Sequence, residues 1–506
     1  MSSVRLEEFA ESLKRLIQDK EVGLREEGTG KVLSNQDGIL SISGLSNCTL
    51  NEVILIGPDK IQALVLTLRE SSIGAVVLGS YDKVSEGMSA VRTYKTFSAP
   101  NGDQLLGRII DIFGNAIDGL GDIQIDKWSQ VEAPAPEVMD RSSVDEPLYT
   151  GILAIDAMIP IGKGQRELII GDRHTGKTSL ALEAIVNQKG RNVNCVYVSV
   201  GQKNSTLFQL SKELEKIGAL SYTCFVVASA SDFPALQFLA PFVGVTIAEH
   251  WMWEGKDVLI IYDDLTQHAI AYRTLSLLLN FPPGREAFPG DIFYLHSRLL
   301  ERAGKLSKEH GGGSITALPI IQTQSDDIAA YIPSNVISIT DGQLFLKTNL
   351  FNSGQRPAID LTNSVSRVGG AAQETAIKSM TSSLKLFVSQ YFELIEFSKF
   401  SSDLNEESKR IFAIGERILP ILKQAPMKPY GPKDELMLLH LISTKLILEI
   451  EKKEWVSEVC ELVLTSWRAH GAYNDLSLSE KVNDSLREIM SGIFETEYKH
   501  FLATHK

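Results

Sequence analysis

A chain of 506 residues has room for about two to four domains, at roughly 100–200 residues each. Apolar residues at 43% and charged residues at 22% describe a globular protein with ample core. The net charge of −13, from 50 basic and 63 acidic residues, argues against broad binding to a phosphate backbone and so against nucleic acid as a partner.

The chain opens on Val4, Leu6, Phe9, Leu13, Leu16 and Ile17 at helical spacing, with Glu and Lys between them. This predicts an amphipathic helix over residues 1–21, either a lid on the next domain or a docking helix for a partner. Met1 to Lys20 has no continuous apolar core of a secretory signal, and no Arg- and Ser-rich transit peptide is present. The four cysteines, Cys48, Cys195, Cys224 and Cys460, form no C-x-x-C and read as small buried hydrophobes.

Residues 22–95 change character. Gly30–Leu33, Ile39–Ile42, Glu52–Ile56, Gln62–Leu68 and Ala75–Leu78 are short runs rich in Val, Ile and Leu. Turn signals such as Gln36-Asp37-Gly38 and Gly57-Pro58-Asp59 separate them, which predicts a small β-barrel. Only Tyr81 and Tyr94 are candidate stacking aromatics, so the barrel reads as structural. Residues 96–375 alternate strand and helix patterns, with Leu106–Phe113 a strand entering a Gly-rich turn. From 376 to 506 the period stays near 3.6, as in Met380, Leu384, Phe387, Val388 and Tyr391, and predicts an all-helical C-terminal domain. The longest apolar stretch, Leu436 to Ile450, is interrupted by His440 and Lys445, so any membrane association must come through partners.

The stretch Arg166 to Ser179 carries the chemistry. Leu168, Ile169 and Ile170 predict a buried strand, Gly171 and Gly176 bracket a loop, and Lys177-Thr178 opens a helical segment. This is G-x-x-x-x-G-K-[ST] in its required strand–loop–helix setting. Backbone N–H groups of Gly171, Asp172, Arg173, His174, Thr175 and Gly176, with the helix N-terminus, suit a triphosphate. Lys177 would reach the β- and γ-phosphates, and the Thr178 hydroxyl would meet Mg²⁺.

Two further strands complete the reading. Val258 to Tyr262 ends in Asp263-Asp264, and an acidic strand end beside a phosphate loop holds the water shell of Mg²⁺. Asp263 takes that role, and Asp264 suits a helix cap. After the strand Cys195–Val200 comes Gly201-Gln202, where ring-forming relatives place a glutamate that accepts a proton from the attacking water. Gln202 can orient water but cannot take its proton near neutral pH. The site therefore reads as one that binds ATP or ADP and turns it over poorly.

Taken together, these segments resemble the alpha subunit of rotary proton-translocating ATP synthases over nearly the whole chain. The resemblance is carried by G-Q-R-E-L-I-I-G-D-R-H-T-G-K-T at 164–178, V-G-Q-K-N-S-T at 200–206 and L-I-I-Y-D-D-L at 259–265. It extends through P-P-G-R-E-A-F-P-G-D-I-F-Y-L-H-S-R-L-L-E-R at 282–302, Y-I-P-S-N-V-I-S-I-T-D-G-Q at 331–343 and P-A-I-D-L-T-N-S-V-S-R-V-G at 357–369. Glutamine after V-G, in place of glutamate, distinguishes alpha from beta in that family. The resemblance implies an alternating ring of three alpha and three beta subunits around a central gamma shaft, with a delta-type peripheral stalk subunit at the N-terminus. Membrane contact would come only through the proton-channel sector, and the ring would make ATP from ADP and phosphate on a proton gradient. It also implies that Arg367 is an arginine finger for the neighbouring beta site, with Ser364, Ser366 and Ser338 at the interface. Arg356 and Gln424 would lie near the nucleotide, and Phe351 near its base.

The chain departs from that family at His174, where a glutamine is usual in the phosphate loop, and at Pro426, where a second glutamine is expected. Both leave open a ring subunit whose nucleotide site has decayed. The run at 145–162 is similar to plastid forms, which implies a thylakoid location on the stromal side, with the bacterial inner membrane, cytoplasmic side, as alternative. A self-sufficient homohexameric ATPase is the competing reading; Gln202 and the acidic charge weigh against it. His310-Gly311-Gly312-Gly313-Ser314 resembles a lipase oxyanion loop, but the chain has no G-x-S-x-G to supply a nucleophile.

Overall fold

The structure, a computed structural model, describes residues 28–505 except 46, 382, 383 and 399–405. The helix expected over residues 1–21 lies outside the described residues.

Strands β1 (Thr29–Gln36), β2 (Ile39–Ser43), β3 (Glu52–Ile56), β4 (Ile61–Leu68), β5 (Ser72–Val77) and β6 (Ser89–Thr96) close a barrel. Its order is β1-β2-β5-β4-β3-β6, all neighbours antiparallel, and β6 returns to β1. Asp37 and Gly38 take φ of 50° and 84° between the paired Gln36 and Ile39. A two-residue turn with both φ positive matches the twist of the flanking strands, which is why Asp-Gly sits there. Leu40, Ile42, Ile54, Ile56 and Val65 fill the barrel interior. Glu52 is buried between β3 and β6, where the Arg92 guanidinium holds both its oxygens at 3.0 and 2.7 Å. Burial alone would push its carboxyl up; Arg92 and the Thr49 and Tyr94 N–H groups bring it down to about 2.

The second unit begins with β7 (Ser98–Asn101), β8 (Ile109–Asp111), β9 (Lys127–Gln130) and α1 (Leu153–Met158). Of the strand expected over Leu106–Phe113 only β8 forms, because Gly107 at φ 81° and Gly114 at φ 84° turn the backbone on either side. The α/β core follows as β10 (Glu167–Gly171), α2 (Lys177–Val186), β11 (Val193–Gln202), α3 (Asn204–Ile217), β12 (Thr223–Ser229), α4 (Pro234–Trp253), β13 (Asp257–Asp263) and α5 (Leu265–Leu278). It continues with α6 (Ile292–Leu300), β14 (Gly304–Lys305), β15 (Ser314–Gln322), α7 (Tyr331–Ile339), β16 (Gly342–Leu346), α8 (Thr348–Asn352) and β17 (Val365–Ser366).

The sheet runs β17-β16-β10-β15-β13-β11-β12-β8, with β14 beside β15. From β16 to β8 all pairings are parallel; β17 runs antiparallel at one edge. Parallel strands covered on both faces read as continuous apolar runs, and Val258 to Tyr262 in β13 are all fully buried. Ligands in such sheets bind beyond the carboxyl ends of the strands. Here those ends present Gly171, Gln202 and Asp263.

The C-terminal region is helical: α9 (Thr375–Thr381), α10 (Leu384–Ser398), α11 (Glu406–Leu422), α12 (Pro432–Ser443), α13 (Val456–Ala469), α14 (Gly471–Asp475) and α15 (Asp484–Thr504). Trp467, Met490, Phe494 and Phe501 are buried among α12, α13 and α15, and the Trp467 indole N–H donates to the Lys433 carbonyl at 2.9 Å. Asn483 caps α15 by accepting the Leu486 N–H at 2.8 Å. The fold is thus a β-barrel, an α/β nucleotide-binding domain and a helical domain, as the sequence patterns imply. All four cysteines are buried and free.

Candidate nucleotide site

The phosphate loop joins the end of β10 to the start of α2. Gly171 is required by packing: a Cβ there would stand 2.5 Å from the Leu346 carbonyl oxygen of β16. The Asp172 carboxylate is pinned from the loop after β15 by the Thr323 hydroxyl at 2.7 Å and by the Asp326 N–H at 3.0 Å. The Thr175 hydroxyl donates to the Asp172 carbonyl at 2.8 Å and closes the loop. His174 and Gly176 take φ of 63° and 95°, the left-handed turns that aim successive N–H groups inward. Arg173 and His174 are exposed on the crown of the loop.

Lys177 is buried, and its ammonium donates to the Gly171 and Asp172 carbonyls at 2.9 and 2.5 Å. Burial pushes it below the usual lysine range, opposed by the charges of Asp264, Asp263 and Asp172. An ammonium parked on loop carbonyls is poised to exchange them for phosphate oxygens.

Asp263 ends β13 and gathers three donors. The Thr178 hydroxyl reaches Oδ2 at 2.8 Å, the Tyr197 hydroxyl reaches Oδ2 at 2.6 Å, and the Gln202 amide reaches Oδ1 at 3.3 Å. The register explains the meeting, since Ser199 of β11 pairs with Asp263 of β13. Burial pushes the Asp263 carboxyl up, and these hydrogen bonds pull the other way. Asp264 accepts the Gln267 N–H at 2.8 Å and caps α5, the role expected of it. Burial and the Asp263 charge push Asp264 up to about 7. Tyr197 was not singled out by sequence reasoning. Its signal was a phenol inside the mostly apolar run Cys195–Val200, whose hydroxyl needs a partner once buried.

Beside the loop lies a cleft of about 150 Å³. Phe351 forms one wall, its ring 3.8 Å from where a Gly176 Cβ would stand, and the Arg356 guanidinium lies 4.7 Å over that ring. Gln424 and Pro426 line the same cleft, so the structure brings Phe351, Arg356 and Gln424, expected near the nucleotide and its base, to one cleft beside the loop. Gln424 differs in one respect. Its amide donates to the Gly151 and Lys428 carbonyls at 2.6 and 2.9 Å and accepts the Leu153 N–H at 3.4 Å. Those contacts hold the helical region to α1 and leave the amide committed to backbone. Glu183 of α2 also lines the cleft, another residue the sequence reading passed over.

The expected interface residues lie elsewhere. Arg367 follows β17, is exposed, and its guanidinium makes no hydrogen bond or ion pair among the described residues. Ser364 is fully buried and its hydroxyl accepts the Phe345 N–H at 2.9 Å, so it fixes β16 from inside instead of facing outward. The Ser366 hydroxyl donates to the Pro160 carbonyl at 2.7 Å and accepts the Gly369 N–H at 3.1 Å. Both serines shape the segment that carries Arg367. Ser338 is exposed on α7, with its hydroxyl on the Ser334 carbonyl.

A phosphate loop, an acidic strand end and a base-sized cleft on a parallel sheet define a P-loop nucleotide-binding protein. The chain belongs to the ATP synthase alpha/beta family. Residues 27–94 match its beta-barrel domain, 151–366 its nucleotide-binding domain and 373–496 its C terminal domain. It is 49% identical to an ATP synthase subunit alpha of Mycoplasma pneumoniae over 500 residues, which is 99% of this chain and 96% of that one. It is 50% identical to that of Mycoplasma genitalium over 501 residues, again 99% and 96%. The subunit alpha of Ureaplasma parvum is 59% identical over 421 residues, 83% of this chain, which spans about half (53%) of that relative's length.

Proposed function

We propose that this chain is the alpha subunit of a proton-translocating ATP synthase, holding Mg-ATP or Mg-ADP at its own loop without turning it over. The observation that carries this is Gln202: the position facing Asp263 at the end of β11 holds an amide, which orients water but accepts no proton. Thr178 and Asp263 are an all-oxygen donor set that fits Mg²⁺, directly and through water. Bound there, the ion would neutralise phosphate charge. Lys177 would bind the β- and γ-phosphates, the loop N–H groups would orient them, and Phe351 with Arg356 would flank the base.

The chain's larger contribution is across an interface. Arg367 supplies a guanidinium to the γ-phosphate in the neighbouring beta subunit's site, stabilising transition-state charge. Its exposure, and a guanidinium with no hydrogen bond or ion pair among the described residues, support that reading. Beta subunits alternating with this chain, a gamma shaft and a delta-type stalk subunit are the partners. Among the described residues no helix is long and apolar enough to cross a membrane, consistent with attachment through the proton-channel sector. The relatives compared are bacterial, which favours the cytoplasmic face of a bacterial inner membrane; nothing in them supports the plastid thylakoid.

The test is to incubate the purified chain with ATP and Mg²⁺ and measure bound nucleotide and released phosphate together. Binding without phosphate release, lost in Lys177→Ala, is expected. Steady hydrolysis by the chain alone would overturn the reading.

A further inference from the structure

A buried carboxyl, that of Glu183, lines the base cleft. Gly176, Ser179, Leu180 and Glu183 line it from one face of α2, at the i, i+3, i+4, i+7 spacing that stacks side chains along a helix. Pro426 offers no donor, and both N–H donors of the Gln424 amide go to backbone carbonyls. Glu183 is 7% exposed. Its carboxyl accepts the Met427 N–H from the loop that closes the cleft, and among the described residues no cation pairs with it. A carboxyl has four lone-pair sites or, protonated, one donor, so a single N–H leaves it with capacity to spare. The other charged side chain lining the cleft is Arg356, which lies over Phe351.

Building on the nucleotide site assigned above, we propose that Glu183 reads the base of a bound purine nucleotide, its proton deciding between adenine and guanine. A protonated carboxyl presents one donor and one acceptor, which matches N1 and the N6 amino group of adenine. An ionised carboxylate presents two acceptors, which match N1–H and the N2 amino group of guanine. Burial pushes the Glu183 carboxyl up to about 7, so both forms are accessible near neutrality. The Met427 N–H bonds it from a neighbouring loop, and Arg356 is the other charged side chain that lines the cleft. A site that must reject one purine does so most strongly when its own polar group would be left unpaired.

The experiment measures dissociation constants of ATP and GTP on the full chain, by displacement of a fluorescent nucleotide, at about pH 6 and about pH 8.5. Both ligands carry the same triphosphate, so its own protonation cancels in the ratio. In the wild type the preference for ATP over GTP should fall about tenfold or more across that range, the worth of one or two hydrogen bonds. Glu183→Gln keeps one donor and one acceptor at every pH, so it should hold the acidic preference throughout. Glu183→Leu should show little preference at either pH. A wild-type ratio that does not change with pH, or a Glu183→Gln ratio that changes as the wild type does, overturns the proposal while the nucleotide site stands. Failure of the wild type to bind either nucleotide overturns both.

Discussion

Arg367 and Lys177 stand at opposite ends of the same sheet. Gly171, which leads into the Lys177 loop, pairs with Leu346 at the end of β16, whereas Ser366, beside Arg367, pairs with Gly342 at its start. Four residues of strand separate the two levels, about 13 Å at the usual rise. Arg367 is therefore poorly placed to serve the nucleotide on its own chain, as the proposed role at a neighbour's site requires. Arg367→Ala should leave the chain's own nucleotide affinity within about twofold of wild type, since it removes no contact at the loop. Titration calorimetry on the isolated chain checks this; a tenfold loss would place Arg367 at its own site.

Glu435 of α12 and Asp156 of α1 bury two carboxyls against each other. Asp156 accepts the Thr150 N–H and hydroxyl at 3.0 and 2.7 Å and the Gly151 N–H at 2.8 Å. Among the described residues neither Glu435 oxygen finds a donor, so the proton of the pair rests on Glu435 and is donated to Asp156. Burial, then the Asp156 charge, holds Glu435 well above its ordinary value of 4.5. The folded chain therefore binds more protons than the unfolded one above that pH, and its stability falls as pH rises through the raised value. Glu435→Gln supplies an amide donor at every pH. It should remove that part of the slope and stabilise the protein at pH 8 by on the order of 1–3 kcal/mol. Urea midpoints between about pH 6 and 8 measure it; an unchanged slope would contradict the assignment.

Arg302 is fully buried, with Nε on Glu249 at 2.6 Å, a further contact from its other side to the same carboxylate, and a hydrogen bond to the Val131 carbonyl at 2.8 Å. It fastens the proline-rich loop around Val131 to α4. Arg302→Met leaves Glu249 buried without a partner and should cost about 3–5 kcal/mol. Pairing it with Glu249→Leu should restore a large part of that loss. Denaturation midpoints of the single and double variants decide between a needed ion pair and a needed shape.

Gly176 takes φ 95° in open space, the nearest atom to an added Cβ being Phe351 Cε2 at 3.8 Å. Gly176→Ala therefore meets a conformational penalty alone, about 1–2 kcal/mol for a left-handed non-glycine residue. Because that strain falls on the residue that aims Lys177, nucleotide affinity should drop about tenfold with only a small loss of stability. Parallel binding and melting measurements separate the two effects.

The phosphate loop was legible because three independent patterns coincide there: the apolar run of β10, the bracketing glycines and the helical period of α2. Asp263 was legible as the polar end of a buried strand, and Gln202 as the wrong residue for a base. The sixth barrel strand was not. In Ser89–Thr96 only Ala90 is buried, and Tyr94 at φ 58° breaks the alternation that marks a strand. Gln424 was expected in the cleft, but no sequence pattern could show that backbone carbonyls had already taken its amide. Glu183 carried a usable signal, seven residues after Gly176 on one helical face. That spacing alone shows no cleft, because the cleft it faces is closed by residues some 170 and 240 positions further along the chain.

The decisive measurement is ATP turnover of a reconstituted alpha–beta ring, comparing wild type with Arg367→Ala and Lys177→Ala. Arg367→Ala should lower turnover by about 10³-fold or more, the usual worth of an arginine finger, while Lys177→Ala alters occupancy of the alpha site and leaves most turnover in place. Abolished turnover in Lys177→Ala with near-normal turnover in Arg367→Ala would contradict this, and would make the chain's own loop the seat of catalysis.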